Sequence, residues 1–142
     1  MSQHLTTSID HLNMTVRNFL ESASWYQDIF GFELVESGKM PDGSPWGVLK
    51  SGDSMLCLYE ENRKPSPDQD ETYDQYHRIY HFGLRLHNLT EWENKIKDKN
   101  LKLYYGGAVQ YPYSKSWYRQ DPSGHEIEVV IWNGDLVNFK LT

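Results

Sequence analysis

The chain has 142 residues, of which 38% are hydrophobic and 24% are charged, so a single folded domain over 1–142 with its own core is expected. A formal charge of −6 without any basic stripe argues against a nucleic-acid partner. No apolar run approaches membrane-spanning length, so no membrane partner is expected. The first ten residues lack a signal-peptide pattern and Cys57 is the only cysteine, which together predict a cytoplasmic protein without disulfide bonds.

The first half of the chain predicts one strand, one helix and three further strands. The opening strand is "IDHLNMTV", and Asn18 followed three residues later by Glu21 is typical of a helix start. After that cap the apolar residues recur on one helical face, and Gly31 stands where a glycine would end the helix. That face consists of Phe19, Ala23, Tyr26 and Phe30. The three predicted strands are "FELVES", "WGVLKSG" and "SMLCLYE".

The second half repeats this order after a polar segment. Residues 9–18, "IDHLNMTVRN", align without a gap with 79–88, "IYHFGLRLHN", so that His11 meets His81. Asn88 then begins a shorter helix with an apolar face of Leu89, Trp92 and Ile96, and the strands "LKLYYGG", "SKSWYRQ" and "EIEVVIW" follow. The predicted boundaries are module one at about 7–60, a linker at about 61–77, module two at about 78–133 and a tail at 134–142.

Two such modules cannot bury their sheets separately. The predicted fold is therefore α+β, with two paired βαβββ modules whose helices cover the outside and whose curled sheets enclose a cavity. Alternation along the strands turns one polar set towards this cavity. The inward residues are His11, Asn13 and Thr15 in module one, and His81, Arg85, Glu126 and Glu128 in module two.

Two imidazoles and at least one carboxylate suit a divalent first-row metal ion that keeps positions open for substrate. The repeat also places Cys57 at the position that corresponds to Glu128, because "LCL" (56–58) aligns with "IEV" (127–129). A Cys57 thiolate could bind the metal, although a small buried thiol beside the site is the preferred interpretation. Glu60 lies three residues after Cys57 and therefore points to the opposite face of the strand, so it cannot take the place of Cys57 near the metal.

The segment "YRQDPSGHEIE" (118–128) resembles the terminal motif of the vicinal oxygen chelate (VOC) superfamily, and "IDHLNMTV" and "YHFGLRL" resemble its two histidine-bearing strands. That superfamily includes glyoxalases, extradiol dioxygenases, fosfomycin-modifying enzymes and bleomycin resistance proteins. The resemblance covers about 7–133. It implies that the metal ligands are His11, His81 and Glu128, and that Asp121, Pro122 and Gly124 shape the turn before Glu128.

The resemblance leaves several functions open. An extradiol dioxygenase-like enzyme with Fe²⁺ is slightly favoured, because Tyr118 lies where such enzymes carry a tyrosine, although their upstream histidine is missing. A fosfomycin-type thiol transferase is similar at Cys57, Ser116 and Tyr118, but Val137 stands where a basic residue is usual. Lactoylglutathione lyase activity would need an acid where Cys57 stands. A metal-free protein of the bleomycin-binding kind is the alternative that is not an enzyme.

Roles for the remaining residues follow from these alternatives. Tyr118 and Cys57 are predicted to be catalytic, and Arg85, Asn13 and Ser116 are predicted to bind substrate. The predicted cofactor is one divalent metal ion, Fe²⁺ by preference, with Mn²⁺, Ni²⁺ or Zn²⁺ as alternatives. The expected partners are a small-molecule substrate and a second copy of the chain, since superfamily members commonly form homodimers.

Overall fold

The computed structural model describes residues 8–61 and 81–134, which fall into two compact units. We refer to 8–61 as module one and to 81–134 as module two. The predicted linker at about 61–77 and the predicted tail at 134–142 lie outside the described residues, except for Glu61 and Gly134. The predicted module boundaries themselves therefore stay predictions.

Both modules have the predicted order of strand, helix and three strands. Module one comprises β1 (Leu12–Val16), α1 (Phe19–Phe30), β2 (Glu33–Lys39), β3 (Pro45–Ser51) and β4 (Ser54–Glu60). Module two comprises β5 (Phe82–Arg85), α2 (Leu89–Asp98), a 3-10 turn (Tyr104–Gly106), β6 (Val109–Gln110), β7 (Ser114–Gln120) and β8 (Glu126–Trp132).

The two sheets have the same topology, which confirms the α+β fold with two βαβββ modules. Their strand orders are β1-β4-β3-β2 and β5-β8-β7-β6. In each sheet the first strand pairs in parallel with the last strand, and the other pairs are antiparallel. The helix that follows the first strand supplies the crossover that a parallel pair requires.

The two asparagines predicted as helix caps act as such. The Asn18 side chain accepts a hydrogen bond from the Glu21 amide at 2.9 Å, and Asn88 accepts one from Glu91 at 3.0 Å. Each bond satisfies one of the amide groups that the first helical turn leaves without a partner. At the other end of α1, Gly31 has φ of 74°, the left-handed conformation predicted for a terminating glycine.

The core of module one lies between α1 and its sheet. Phe19, Tyr26 and Leu49 are buried there, and Gly47 of β3 lies directly under the Phe19 ring. A Cβ atom built on Gly47 would lie 2.5 Å from Phe19 Cζ, so this position requires glycine for space. The Glu60 carboxylate accepts a hydrogen bond from the Phe19 amide at 2.8 Å, which confirms that Glu60 lies on the helix side of its strand.

Module two departs from the prediction at "LKLYYGG". This segment does not form a strand, because Tyr105, Gly106 and Gly107 all have positive φ, at 57°, 73° and 118°, which an extended strand does not allow. The first of the three strands after the helix is instead the two-residue β6. The buried faces of the helices also differ slightly, since Ile29 rather than Phe30 is buried in α1 and only Trp92 is buried in α2.

In the described part of the chain, no helix is both long enough and apolar enough to cross a membrane.

Candidate metal and substrate site

The pairing of the strands preserves the repeat that the sequence predicts. Asn13 of β1 pairs with Cys57 of β4, and Gly83 of β5 pairs with Glu128 of β8. Each of these β1 and β5 residues lies two positions after its histidine. Cys57 is therefore the counterpart of Glu128 by strand register, as the alignment of "LCL" with "IEV" predicted.

In module two the two predicted ligands lie side by side. His81 Nε2 is 3.3 Å from Glu128 Oε2, and His81 Nδ1 is 3.7 Å from Glu126 Oε2. Both glutamates are on the face of β8 opposite the buried Ile127 and Val129. Alternation along β8 thus turns the carboxylates and the apolar side chains to opposite faces of the sheet.

The spacing of these two donors fits a shared metal ion. Nitrogen and oxygen ligands about 2.0–2.2 Å from one metal, at angles between octahedral and tetrahedral, lie roughly 2.8–3.6 Å apart. The 3.3 Å between His81 Nε2 and Glu128 Oε2 falls within that range. Neither the described part of module one nor that of module two by itself holds a group of three His, Cys, Asp or Glu side chains that could bind a metal.

Tyr118 is directly bonded to the predicted carboxylate ligand. It pairs with Glu128 across β7 and β8, and its hydroxyl donates to Glu128 Oε1 at 2.6 Å. The Tyr111 hydroxyl lies 2.7 Å from that of Tyr118, and the His81 ring meets the Tyr118 ring edge-on. Burial, followed by the hydrogen bonds to Glu128 and Tyr111, raises the pKa of the Tyr118 phenol well above its ordinary value, so Tyr118 keeps its proton at neutral pH and acts as a hydrogen-bond donor.

The turn between β7 and β8 positions Glu128. The buried Asp121 carboxylate accepts hydrogen bonds from the amides of Ser123 and His125, both at 2.9 Å, and its second oxygen lies 2.7 Å from His125 Nδ1. Gly124 has φ of 95°, a conformation that favours glycine. The turn is thus closed by one carboxylate, and β8 begins in a defined register.

In module one, His11 has a carboxylate on one ring nitrogen. Asp10 Oδ2 lies 2.8 Å from His11 Nδ1, and because an ionised carboxylate can only accept, His11 carries its proton on Nδ1. This tautomer leaves Nε2 without a proton and so able to bind a metal ion, and such an outer carboxylate is typical of metal-binding histidines. The His11 side chain is 46% exposed.

Cys57 is a half-buried free thiol. Burial first, and then the negative charges of Asp10 and Glu36, raise the pKa of the Cys57 thiol. A raised pKa keeps the group protonated at neutral pH and so disfavours a role as nucleophile. Cys57 pairs with Asn13 and lies on the same sheet face, while its predicted role beside the site stays a prediction.

The three predicted substrate-binding residues have different environments. Asn13 is exposed on β1, and Arg85 is exposed at the end of β5, where it pairs with Val130. Ser116 lies on the same face of β7 as Tyr118 and is only 1% exposed. Its hydroxyl has no hydrogen-bond partner among residues 8–61 and 81–134, so it has bonding capacity for a ligand.

Two relevant side chains were missed by the sequence reasoning. Asp10 could have been recognised from its place next to His11 in "IDH", because a carboxylate commonly orients a metal-binding histidine. Tyr111 could not have been recognised, because its contact with Tyr118 depends on the turn after β6.

Sequence comparison places the chain in a family. Residues 8–129 match the profile of the Glyoxalase/Bleomycin resistance protein/Dioxygenase superfamily. A metallothiol transferase FosB of Staphylococcus epidermidis is 26% identical over 123 residues, which are 87% of this chain and 80% of that protein. A metallothiol transferase FosB of Staphylococcus haemolyticus is 25% identical over 121 residues, or 85% of this chain and 81% of that protein.

Solved structures show the same fold. A glyoxylase/bleomycin resistance protein/dioxygenase domain from Frankia sp. EAN1pec superposes with a TM-score of 0.71 at 16% identity, covering 92% of this chain and 96% of that one. The fosfomycin resistance protein FosX of Listeria monocytogenes, complexed as a mutant with Mn(II) and 1S,2S-dihydroxypropylphosphonic acid, gives 0.65 at 17% identity, with coverages of 93% and 96%. The profile match over most of the chain confirms the resemblance to the VOC superfamily, and the chain belongs to the Glyoxalase/Bleomycin resistance protein/Dioxygenase superfamily.

Proposed function

We propose that this chain is a metal-dependent enzyme that adds a thiol to a small oxygenated electrophile, with His11, His81 and Glu128 as the metal ligands. The observation that carries the proposal is the 3.3 Å approach of His81 Nε2 to Glu128 Oε2, beside a tyrosine that donates to the same carboxylate. Whether His11 comes from the same chain or from a second copy does not alter the donor set.

The proposed reaction is the opening of a strained ring such as an epoxide. The thiol sulfur forms a bond to carbon, the carbon–oxygen bond breaks, and the thiol proton ends on the oxygen that is released. A bound divalent metal would supply Lewis-acid stabilisation of the charge that develops on that oxygen. Tyr118 orients Glu128, the Ser116 hydroxyl can bond to the substrate, and the Arg85 guanidinium can hold an anionic group.

Thiol transfer is proposed ahead of ring cleavage because of the relatives. The FosB proteins are metallothiol transferases by name, and they align over 85–87% of this chain. The slight preference for an Fe²⁺ dioxygenase, derived from Tyr118, is not specifically supported by these relatives. Val137 stands where a basic residue is usual in fosfomycin enzymes, so a phosphonate substrate is not assumed. Val137 lies outside the described residues.

The first experiment measures metal content. Elemental analysis of protein purified without oxygen is expected to give about one divalent metal ion per chain, and Glu128→Gln is expected to lose it. Glu91→Gln is the matched control, because Glu91 lies on α2 and its backbone amide, not its carboxylate, bonds to the Asn88 cap. Retention of full metal occupancy by Glu128→Gln would show that the ligand assignment is wrong.

The second experiment identifies the reaction. Loss of free thiol is followed with a small thiol and two epoxides, fosfomycin and an uncharged alkyl epoxide, after loading the protein with Mn²⁺. Metal-dependent thiol loss that disappears in Glu128→Gln supports the proposal. Oxygen uptake with a catechol, with no thiol loss, would instead favour the dioxygenase alternative. Binding of either epoxide to metal-free protein, without turnover, would favour a binding protein of the bleomycin resistance kind.

A homodimer is part of the proposal. Large apolar side chains are exposed on β2, where Leu34 is 45% and Val35 is 54% exposed, and such a surface suits an interface. Light scattering coupled to size exclusion is expected to give a mass of two chains, and a mass of one chain would contradict this expectation.

A further inference from the structure

A row of two phenols leads from Glu128 towards the exposed part of module two. The Tyr118 hydroxyl lies 2.6 Å from Glu128 Oε1, and the Tyr111 hydroxyl lies 2.7 Å from the Tyr118 oxygen. An ionised carboxylate has no proton to donate, so the single Tyr118 proton is used on Glu128. Tyr111 must therefore be the donor to Tyr118, and the direction runs from Tyr111 through Tyr118 to Glu128.

Tyr111 is held in place by the turn that carries it, although 40% of the residue is exposed. Its amide donates to the Ser114 carbonyl at 2.8 Å, which closes the turn between β6 and β7. The Gln110 side chain donates to the Tyr111 carbonyl at 2.7 Å and to that of Ser114 at 3.1 Å. The Asn133 amide bonds to the Tyr113 carbonyl at 2.9 Å and so ties the turn to the end of β8. The turn that carries Tyr111 is thus fixed by four hydrogen bonds, two of them to the Tyr111 backbone.

The ring of Tyr118 is also confined on two sides. The Tyr105 ring meets it edge-on at 5.3 Å between centroids, and the His81 ring does so at 5.9 Å. Tyr105 has φ of 57°, a conformation that costs energy for a residue with a side chain. The rings fix where the Tyr118 hydroxyl lies, and the bond from Tyr111 fixes where its proton points.

We propose that Tyr111 is a positioning residue that keeps the Tyr118 proton on Oε1 of Glu128 and thereby restricts a bound metal to Oε2. A hydrogen bond received by a phenol oxygen strengthens the bond that the same phenol donates, so the two bonds act together. Without the Tyr111 hydroxyl, the bond that Tyr118 donates to Oε1 weakens, so the carboxylate is held less firmly in the orientation that turns Oε2 to the metal. This inference rests on the proposed function, because it requires a metal ion at Glu128.

The test compares four variants of the full chain loaded with Mn²⁺. They are Tyr111→Phe, Tyr118→Phe, the double variant, and Tyr113→Phe as the matched control. Tyr113 lies in the same turn, is 38% exposed, and its side chain has no hydrogen bond within residues 8–61 and 81–134. Mn²⁺ affinity is measured by calorimetric titration, and the zero-field splitting of bound Mn²⁺ is measured by electron paramagnetic resonance.

Tyr118→Phe is expected to weaken Mn²⁺ binding about 10- to 100-fold, the usual effect of removing a group that bonds to a metal ligand. Tyr111→Phe is expected to weaken Mn²⁺ binding about 2- to 10-fold, the effect of one hydrogen bond. It is also expected to shift the zero-field splitting in the same direction as Tyr118→Phe does. The double variant should match Tyr118→Phe in both readouts, because Tyr111 acts only through Tyr118. Tyr113→Phe should match the wild type.

Three outcomes would overturn the inference. If Tyr111→Phe binds Mn²⁺ with wild-type affinity and splitting, Tyr111 does not position the carboxylate, while the proposed metal site stands. If the two substitutions are additive, Tyr111 does not act through Tyr118. If the wild type binds no Mn²⁺ at all, both this inference and the proposed function fail. Circular dichroism of each variant separates these results from a loss of folding.

Discussion

The two modules share one topology but differ in what their equivalent positions carry. Strand register makes Cys57 of β4 the counterpart of Glu128 of β8. Glu128 has a phenol on one oxygen and an imidazole near the other, whereas Cys57 is a thiol whose pKa is raised by burial and nearby carboxylates. The comparison shows that equivalent positions of a repeated backbone can carry different chemistry, a hydrogen-bonded carboxylate in module two and a half-buried thiol in module one.

The prediction with the largest expected effect concerns the two repeated histidines and asks whether both contribute to metal binding. His11→Ala and His81→Ala are each expected to weaken Mn²⁺ binding more than about 100-fold, because both are proposed direct ligands, whose loss should cost more than the loss of an outer partner. Calorimetric titration measures this. His87→Ala is the control, since His87 is exposed and follows β5 on the chain. Equal loss in the His87 variant would point to a general effect on folding rather than to the site.

A second prediction contrasts two sheet glycines. Gly47→Ala is expected to lower the free energy of unfolding by about 1–3 kcal/mol, because its Cβ would clash with the buried Phe19 ring. Gly83→Ala is expected to change it by less than about 0.5 kcal/mol, since the nearest atom is 3.8 Å away. Urea unfolding measures both. A large effect at Gly83 would mean that the face beside Glu128 is more crowded than the structure shows.

A third prediction concerns the helix caps, which the modules share. Asn18→Ala and Asn88→Ala are each expected to lower the free energy of unfolding by about 1 kcal/mol, because each leaves one helical amide without its side-chain acceptor. Asn→Asp at the same positions should restore most of the loss, since aspartate is an equally good cap. Urea unfolding of the four variants measures these free energies. A loss of stability that aspartate does not restore would contradict the capping role.

The smallest expected effect concerns Cys57. Because its pKa is raised, less thiolate is present at pH 7 than in an ordinary thiol, and alkylation by iodoacetamide in metal-free protein should be slower than that of free cysteine. The rate should rise as the pH increases towards the raised pKa. Cys57→Ser should leave Mn²⁺ affinity unchanged. Rapid alkylation at pH 7, or weaker Mn²⁺ binding in Cys57→Ser, would show that Cys57 is a reactive or metal-binding thiolate.

Much of the fold was determined by the sequence alone, for local reasons. Helix starts are encoded by Asn18 and Asn88, and the end of α1 is encoded by Gly31, because caps depend on residues a few positions apart. Strands β4, β7 and β8 were predicted with their observed bounds, because the turn residues of "SGD" (51–53) lie just before β4 and those of "DPSG" (121–124) separate β7 from β8. The alignment of the two modules likewise predicted that Cys57 corresponds to Glu128.

Tertiary structure decided what local pattern could not. The aromatic and glycine-rich segment before β6 has a sequence typical of a strand. The left-handed backbone at Tyr105 interrupts the extended chain, and the Tyr105 ring packs edge-on against Tyr118. The contact of Tyr111 with Tyr118 likewise depends on how a turn closes, and no periodicity encodes it. Sequence therefore determined which face of β8 carries the carboxylates and which carries the apolar side chains, because side-chain alternation is local. Only the folded chain decided which oxygen of Glu128 is already bonded, because that depends on side chains brought together by the sheet.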